Sequence, residues 1–138
     1  MTEKRHLIKD KTLQVKSDLQ VLPEIRRFLR EMFTDIPEDP VDRMELAANE
    51  VAANIIKHAY QGRPDQPISI RATVQPDRIC VRFVDRGRTF DPENVPAPHF
   101  DGSQEGGFGL FIVSRVVDRF DYLPDEKENQ TTLCIHLP

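Results

Sequence analysis

Nothing in this sequence runs apolar for the ~18–20 residues that a bilayer span requires, and its charge is not one-sided. Its 138 residues carry 19 Lys+Arg against 23 Asp+Glu, a net charge of −4. A protein that lives on a nucleic-acid backbone needs a basic stripe, so mild acidity speaks against that class. The expectation is no nucleic-acid and no membrane partner. The N-terminal stretch MTEKRHLIKDK is charged throughout. It lacks the apolar h-region of a secretory signal, which points to a cytoplasmic protein. Cysteine is scarce: Cys80 and Cys134 are too few for a disulfide framework, and neither has CxxC or Cys/His metal spacing. Two free thiols on strands, in a reducing compartment, are expected. There is no internal repeat and no low-complexity tract. The length suits one domain spanning residues 1–138, and 38% hydrophobic with 30% charged residues argues against disorder.

The patterning is clear along most of the chain. Leu7 to Val15 reads as extended. Ser17-Asp18-Leu19-Gln20 reads as a capping box, with the Ser17 oxygen serving the Gln20 N–H. Leu22, Ile25, Leu29 and Met32 follow at helical spacing, flanked by Phe28 and Phe33. Asp39-Pro40 looks like an N-cap with proline in the first turn. The helix it opens carries Met44, Ala48, Val51, Ile55 and Ala59 on one face and stops at Gly62. Ile68, Ile70, Ala72 and Val74, then Ile79, Val81 and Phe83, alternate with polar residues around the turn Gln75-Pro76-Asp77. A third helix is expected after Gly109, with Leu110, Val113, Val117 and Phe120 inward. A last strand has Thr132, Cys134 and His136 on one side and Leu133, Ile135 and Leu137 on the other. The fold class is α+β: a two-layer α/β sandwich, three helices on one face of a mostly antiparallel mixed sheet.

Three segments could carry chemistry. Glu50 and Asn54 lie one turn apart on the second helix, with Lys57 and His58 beyond them on the same polar stripe. An amide oxygen can ligate Mg²⁺ and a carboxylate can act as general base; the same pair also suits a solvated helix face. Asp85-x-Gly87 ends a strand, where a carboxylate can accept from an exocyclic amine and a glycine lets a flat ring approach. It is equally an ordinary Asp/Gly turn, and Phe90 after it could anchor a loop. Gly106-Gly107-Phe108-Gly109-Leu110 opens a helix, a place suited to phosphate. It is not GxxxxGK[ST], and no βαβ context makes it a Rossmann turn.

Taken in order, ELAANEVAANIIKHAY, VRFVDRGRTFDP and EGGFGLFIVSRVVD strongly resemble the nucleotide-binding boxes of the ATPase fold shared by gyrase, heat-shock 90 chaperones, histidine kinases and MutL proteins. Within it the chain most resembles the small anti-sigma serine-protein kinases, from about Leu13 to Leu137. The resemblance implies a serine/threonine kinase that uses MgATP. Glu50 would be the catalytic base and Asn54 the Mg²⁺ ligand. Asp85 would bind the adenine amine and Gly87 would shape its pocket. Phe90, Gly106, Gly107, Phe108, Gly109 and Leu110 would contact the nucleotide, with Lys57 and His58 near the phosphates. Thr132, or its neighbour Thr131, would touch the adenine side, and Arg86 to Glu105 would form the ATP lid.

The implied partners are an anti-sigma antagonist as phosphorylated substrate and a sigma factor or other effector held by sequestration. The kinase would be a homodimer in a partner-switching circuit of transcription regulation. The alternative is a nucleotide-gated binding module that transfers no phosphate. A detached histidine-kinase domain would need a helical hairpin with an acceptor histidine, which is absent. One departure is visible: Asn129-Gln130 stands before Thr131-Thr132, where such kinases commonly carry glycine.

Overall fold

The computed structural model describes residues 7–89 and 109–138. Its order is strand β1 (Lys9–Lys16), helices α1 (Leu22–Met32) and α2 (Glu38–Asn54), and strands β2 (Pro67–Gln75) and β3 (Arg78–Asp85). Helix α3 (Gly109–Val116) and strands β4 (Arg119–Leu123) and β5 (Asn129–His136) complete it. The five strands lie in the order β1-β2-β3-β5-β4, and every pairing is antiparallel. The helices cover one face of this sheet and leave the other open, as the alternation demands. Ile68, Ile70, Ala72, Ile79, Val81 and Phe83 are wholly buried, as are Leu133 and Ile135 of β5. The hairpin between β2 and β3 forms as expected, turning at Pro76-Asp77, while Gln75, read as part of the turn, ends β2 opposite Arg78.

The helices bury the stripes their periodicity marked: Ile25, Leu29 and Met32 on α1, and Met44, Ala48 and Val51 on α2. At about 1.5–3 kcal/mol per fully buried large aliphatic side chain, these stripes outweigh any cap. Both caps in fact differ from expectation. Asp18, not Ser17, accepts from the Gln20 N–H at 2.9 Å. Ser17 is buried and turns the other way, donating to the Arg63 carbonyl at 2.7 Å and accepting from the Gln66 N–H at 2.9 Å. It closes the β1–β2 end, a long-range task that local spacing does not reveal. Helix α2 starts at Glu38 after Pro37 with no side-chain cap. Asp39 sits in its first turn, where a carboxylate favours the positive helix end, and pairs with Arg43 at 3.0 Å.

Two further differences shape the candidate site. The α-helical ladder of α2 ends at Asn54 and continues as a π-helical turn, Ile55–Ala59, with the Tyr60 N–H bonded to the Ile55 carbonyl at 2.8 Å. Such wide turns recur at functional sites because they shift the face of the helix. Gly62 ends the segment as expected, with φ +76° and its N–H on the Ile56 carbonyl. Phe120, expected on the third helix, belongs instead to β4, a five-residue edge strand that pairs with β5. Helix α3 ends at Val116, and Arg43 of α2 donates to the Val116 carbonyl at 3.0 Å, holding the two helices together there.

Cys80 and Cys134 are not free thiols. They stand directly opposite each other on β3 and β5, with Cα atoms 4.2 Å apart, and form a disulfide. Alternation put both on the open face; the register that makes them neighbours is a property of the sheet. Among the described residues no helix is long and apolar enough to cross a membrane.

Candidate functional site

Strand β3 runs out at Asp85, and β5 begins at Asn129 directly opposite. Both face the helices and both are buried, at 2% and 1% exposure. A buried carboxylate loses its hydration, and this burial pushes the Asp85 carboxyl above its ordinary range. Two donors oppose that push. The Gly87 N–H reaches Asp85 Oδ1 at 2.8 Å and Asn129 Nδ2 reaches the same oxygen at 3.1 Å. Among the described residues nothing donates to Oδ2. The carboxylate is thus anchored by one oxygen and leaves the other for a ligand.

The three residues after β3 are pinned in turn. The Tyr60 hydroxyl accepts from the Arg86 N–H at 2.7 Å and donates to the Pro67 carbonyl at 2.6 Å. The Gly87 carbonyl accepts from Asn129 Nδ2 at 3.0 Å. The Arg88 N–H bonds the Ala59 carbonyl at 2.8 Å. Gly87 is pressed so close to the π-helical turn that an added Cβ would lie 2.5 Å from the Ala59 oxygen and 2.6 Å from its carbon. Glycine is required here by Ala59 rather than by an approaching ring.

Asp85 opens into a cleft walled by Val51, Ile55, Ala59, Leu110 and Tyr122, with Asn54 and Thr131 at its edges. Apolar walls around one free carboxylate oxygen are what a purine bearing an amine requires. The cavity is narrow as it stands, about 10 Å³, room for roughly one water. A purine does not fit that volume as it stands.

The structure therefore brings together Asp85, Gly87, Asn54 and Leu110 of the residues singled out from sequence. Glu50 lies one helical turn before Asn54 on α2, and both are half-buried. Lys57 and His58 are exposed, on the π-helical turn. Gly109 is the first residue of α3. Phe90, Gly106, Gly107 and Phe108, and most of the segment expected as a lid, lie outside the described residues. Thr132 is a correction. It points to the open face, where Arg82 Nε donates to its hydroxyl at 3.4 Å, while Thr131 is buried on the cleft side. The strand alternation that placed Leu133 inward already required this.

Sequence reasoning missed Val51, Ile55 and Ala59 as cleft walls, having read them only as core, and it missed Asn129 and Tyr122. The only signal near Asn129 was the Asn129-Gln130 pair before Thr131-Thr132, and it did not single out Asn129. Asn129 Oδ1 is buried and has no hydrogen-bond partner among the described residues, an arrangement that costs about 1–3 kcal/mol if nothing fills it.

No cluster of three His, Cys, Asp or Glu suited to a metal occurs among the described residues. Mg²⁺ held through substrate phosphates needs only one or two protein oxygens, so Asn54, with Glu50 a turn away, fits that mode. A larger concavity of about 600 Å³ lies on the open face, lined by Arg71, Arg78, Arg82 and Arg119. Arg71, Arg78 and Arg119 already pair with Asp10, Asp77 and Asp121.

Residues 15–135 match the family described as the histidine kinase-like ATPase domain. The serine-protein kinase RsbW of Bacillus subtilis is 30% identical over 88 residues, covering 58% of this chain and 55% of that protein. The serine-protein kinase RsbW of Listeria monocytogenes serotype 4a is 28% identical over 96 residues, covering 64% and 61%. The chain thus spans less than two thirds of the length of these curated relatives. Among solved structures, the RsbU and RsbW domains of Rv1364c from Mycobacterium tuberculosis superpose with a TM-score of 0.66 at 16% identity, covering 92% of this chain and 32% of that one. The histidine kinase domain of Erythrobacter litoralis EL346 blue-light activated histidine kinase gives 0.58 at 19% identity, covering 86% and 60%.

Proposed function

The chain belongs to the histidine kinase-like ATPase domain family, and from that premise we propose that it is an anti-sigma-type serine/threonine kinase acting in partner switching. It would transfer the γ-phosphoryl of ATP to a hydroxyl of a small antagonist protein, and hold a sigma factor or other effector when that antagonist is absent. The observation that carries the nucleotide half is the buried Asp85, anchored by Oδ1 and with no donor to Oδ2 among the described residues, lining a mostly apolar cleft. The kinase half is supported by Glu50 and Asn54 one turn apart beside that cleft, and by the likeness to named serine-protein kinases.

In this mechanism Asp85 accepts from the adenine amine, while Val51, Ile55, Ala59 and Leu110 exclude water from the ring. Asn54 is the residue that would hold Mg²⁺, which, bound with the nucleotide, neutralises phosphate charge. Glu50 accepts the proton of the attacking hydroxyl, and the rest of the rate comes from positioning. The kinase is proposed to work as a homodimer, in the cytoplasm.

A radiolabel assay tests the proposal: purified protein, γ-labelled ATP with Mg²⁺, and an antagonist co-purified from the source cell. Label on an antagonist serine or threonine is the expected result. ATP binding without transfer to a verified antagonist would favour a nucleotide-gated binding module instead.

A further inference from the structure

Asn129 makes three demands that a residue of pure packing would not make. It is 1% exposed, on the side of β5 that also buries Thr131, Leu133 and Ile135. Both hydrogens of its amide are committed, one to Asp85 Oδ1 at 3.1 Å and one to the Gly87 carbonyl at 3.0 Å. Its own oxygen is buried with no partner among the described residues. An apolar residue there would avoid that unfilled acceptor, so the amide earns its place through what its hydrogens hold.

What they hold is the orientation of Asp85. A carboxylate at a strand end can rotate about its last torsion and present either oxygen to the cleft. The Gly87 N–H alone would leave Asp85 tethered at one point. Asn129 adds a second donor to the same Oδ1 from the opposite strand, and also ties the Gly87 carbonyl, so carboxylate and following loop are fixed to β5 together. We propose that Asn129 is a positioning residue for nucleobase selection: it locks Asp85 Oδ1 so that Oδ2 alone faces the cleft, aimed at the 6-amino group of a purine. The inference rests on the nucleotide reading above.

A positioning role predicts a loss specific to the amine, whereas a packing role predicts a general one. The test compares ATP with purine riboside 5′-triphosphate, which lacks only the 6-amino group, by calorimetry with Mg²⁺. Wild type should prefer ATP by about 10–100-fold, since the analogue leaves Asp85 Oδ2 unpaired. Asn129→Ala and the near-isosteric Asn129→Leu should bring that ratio to within about threefold, while each binds the analogue about as well as wild type does. That unchanged analogue binding also reports a folded protein.

A folded variant that keeps the wild-type ratio overturns the proposal, and so does failure of both variants to fold, which would make Asn129 structural. Wild type binding neither nucleotide is a different result, because it removes the nucleotide reading itself. Wild type binding both equally would leave that reading standing and overturn only the role given to Asp85 and Asn129.

Discussion

Asp85 and Asp10 are the same side chain on opposite faces of one sheet, and the sheet drives them in opposite directions. Asp85 faces the helices, is 2% exposed, and is pushed above the usual carboxylate range chiefly by burial. Asp10 faces solvent, and the hydrogen bonds from the Arg71 guanidinium hold it below that range. On the covered face a charge is kept by neutral donors, Asn129 and Gly87, and retains a free oxygen. On the open face the Asp10 charge is answered by another charge, that of Arg71. On the proposed reading the ligand belongs to the covered face, although the open face holds the larger hollow.

The comparison is tested most severely at Glu50. If Glu50 works only in the transition state, Glu50→Gln should leave ATP affinity within a few-fold. Transfer to the antagonist should fall by about 10²–10⁴. Asn54→Ala should weaken MgATP binding and also stop transfer, because a metal ligand serves ground and transition states alike. Full transfer by Glu50→Gln would remove the base from this face.

The disulfide gives the next largest effect, and it should fall on stability alone. Cys80 and Cys134 are 54 residues apart in sequence. Closing a loop of that size restricts the unfolded chain by up to about 4 kcal/mol in the chain-entropy account, with about 2–4 typical. Reduction with a dithiol should lower the urea midpoint accordingly, leave ATP affinity within about twofold, and raise the intact mass by two hydrogens. Loss of ATP binding on reduction would show that the two faces are coupled through β3 and β5.

The sheet was legible because its alternation is nearly unbroken, and so were α1 and α2, whose stripes recur at helical spacing. Asp85, Gly87 and Asn54 were legible as types in order, their roles supplied by resemblance. What escaped was long-range. Nothing local to Ser17 says that it will bond Arg63 and Gln66 across the sheet end. The pairing of Cys80 with Cys134 depends on register across two strands, which no alternation within either strand fixes. Thr132 was a different case: the expectation named Thr132 or Thr131, and the alternation already put Thr132 on the outer side and Thr131 on the inner.

Asp85→Asn is expected to weaken ATP binding by about 10–100-fold. The substituted amide can turn its N–H₂ toward the adenine amine, and it loses the charge that strengthens the bond. GTP, which presents a carbonyl where ATP presents an amine, should bind poorly to wild type for a related reason. Isothermal titration at neutral pH measures both, and unchanged ATP affinity in Asp85→Asn would take the base out of this cleft.

The smallest effect belongs to the ion pair on the open face. Arg71 meets Asp10 through two bonds, Nε to Oδ1 at 2.8 Å and Nη2 to Oδ2 at 2.7 Å. Their side chains are 44% and 37% exposed, so water and salt screen most of the attraction. The bidentate geometry puts the pair near the upper end of exposed bridges, at about 0.5–1 kcal/mol. Because the folded-state pKa of Asp10 lies below its ordinary value, this stability is fully present above the unfolded value of about 4. It is lost as pH falls through the lower folded value. Asp10→Asn should therefore cost up to about 1 kcal/mol in urea unfolding at pH 7, and almost nothing near pH 2. Added salt should shrink the difference at pH 7. ATP affinity should not move in either condition. A tenfold loss of affinity in Asp10→Asn would mean that β1 and β2 transmit the open face to the cleft, and the division of labour between the two faces would fail.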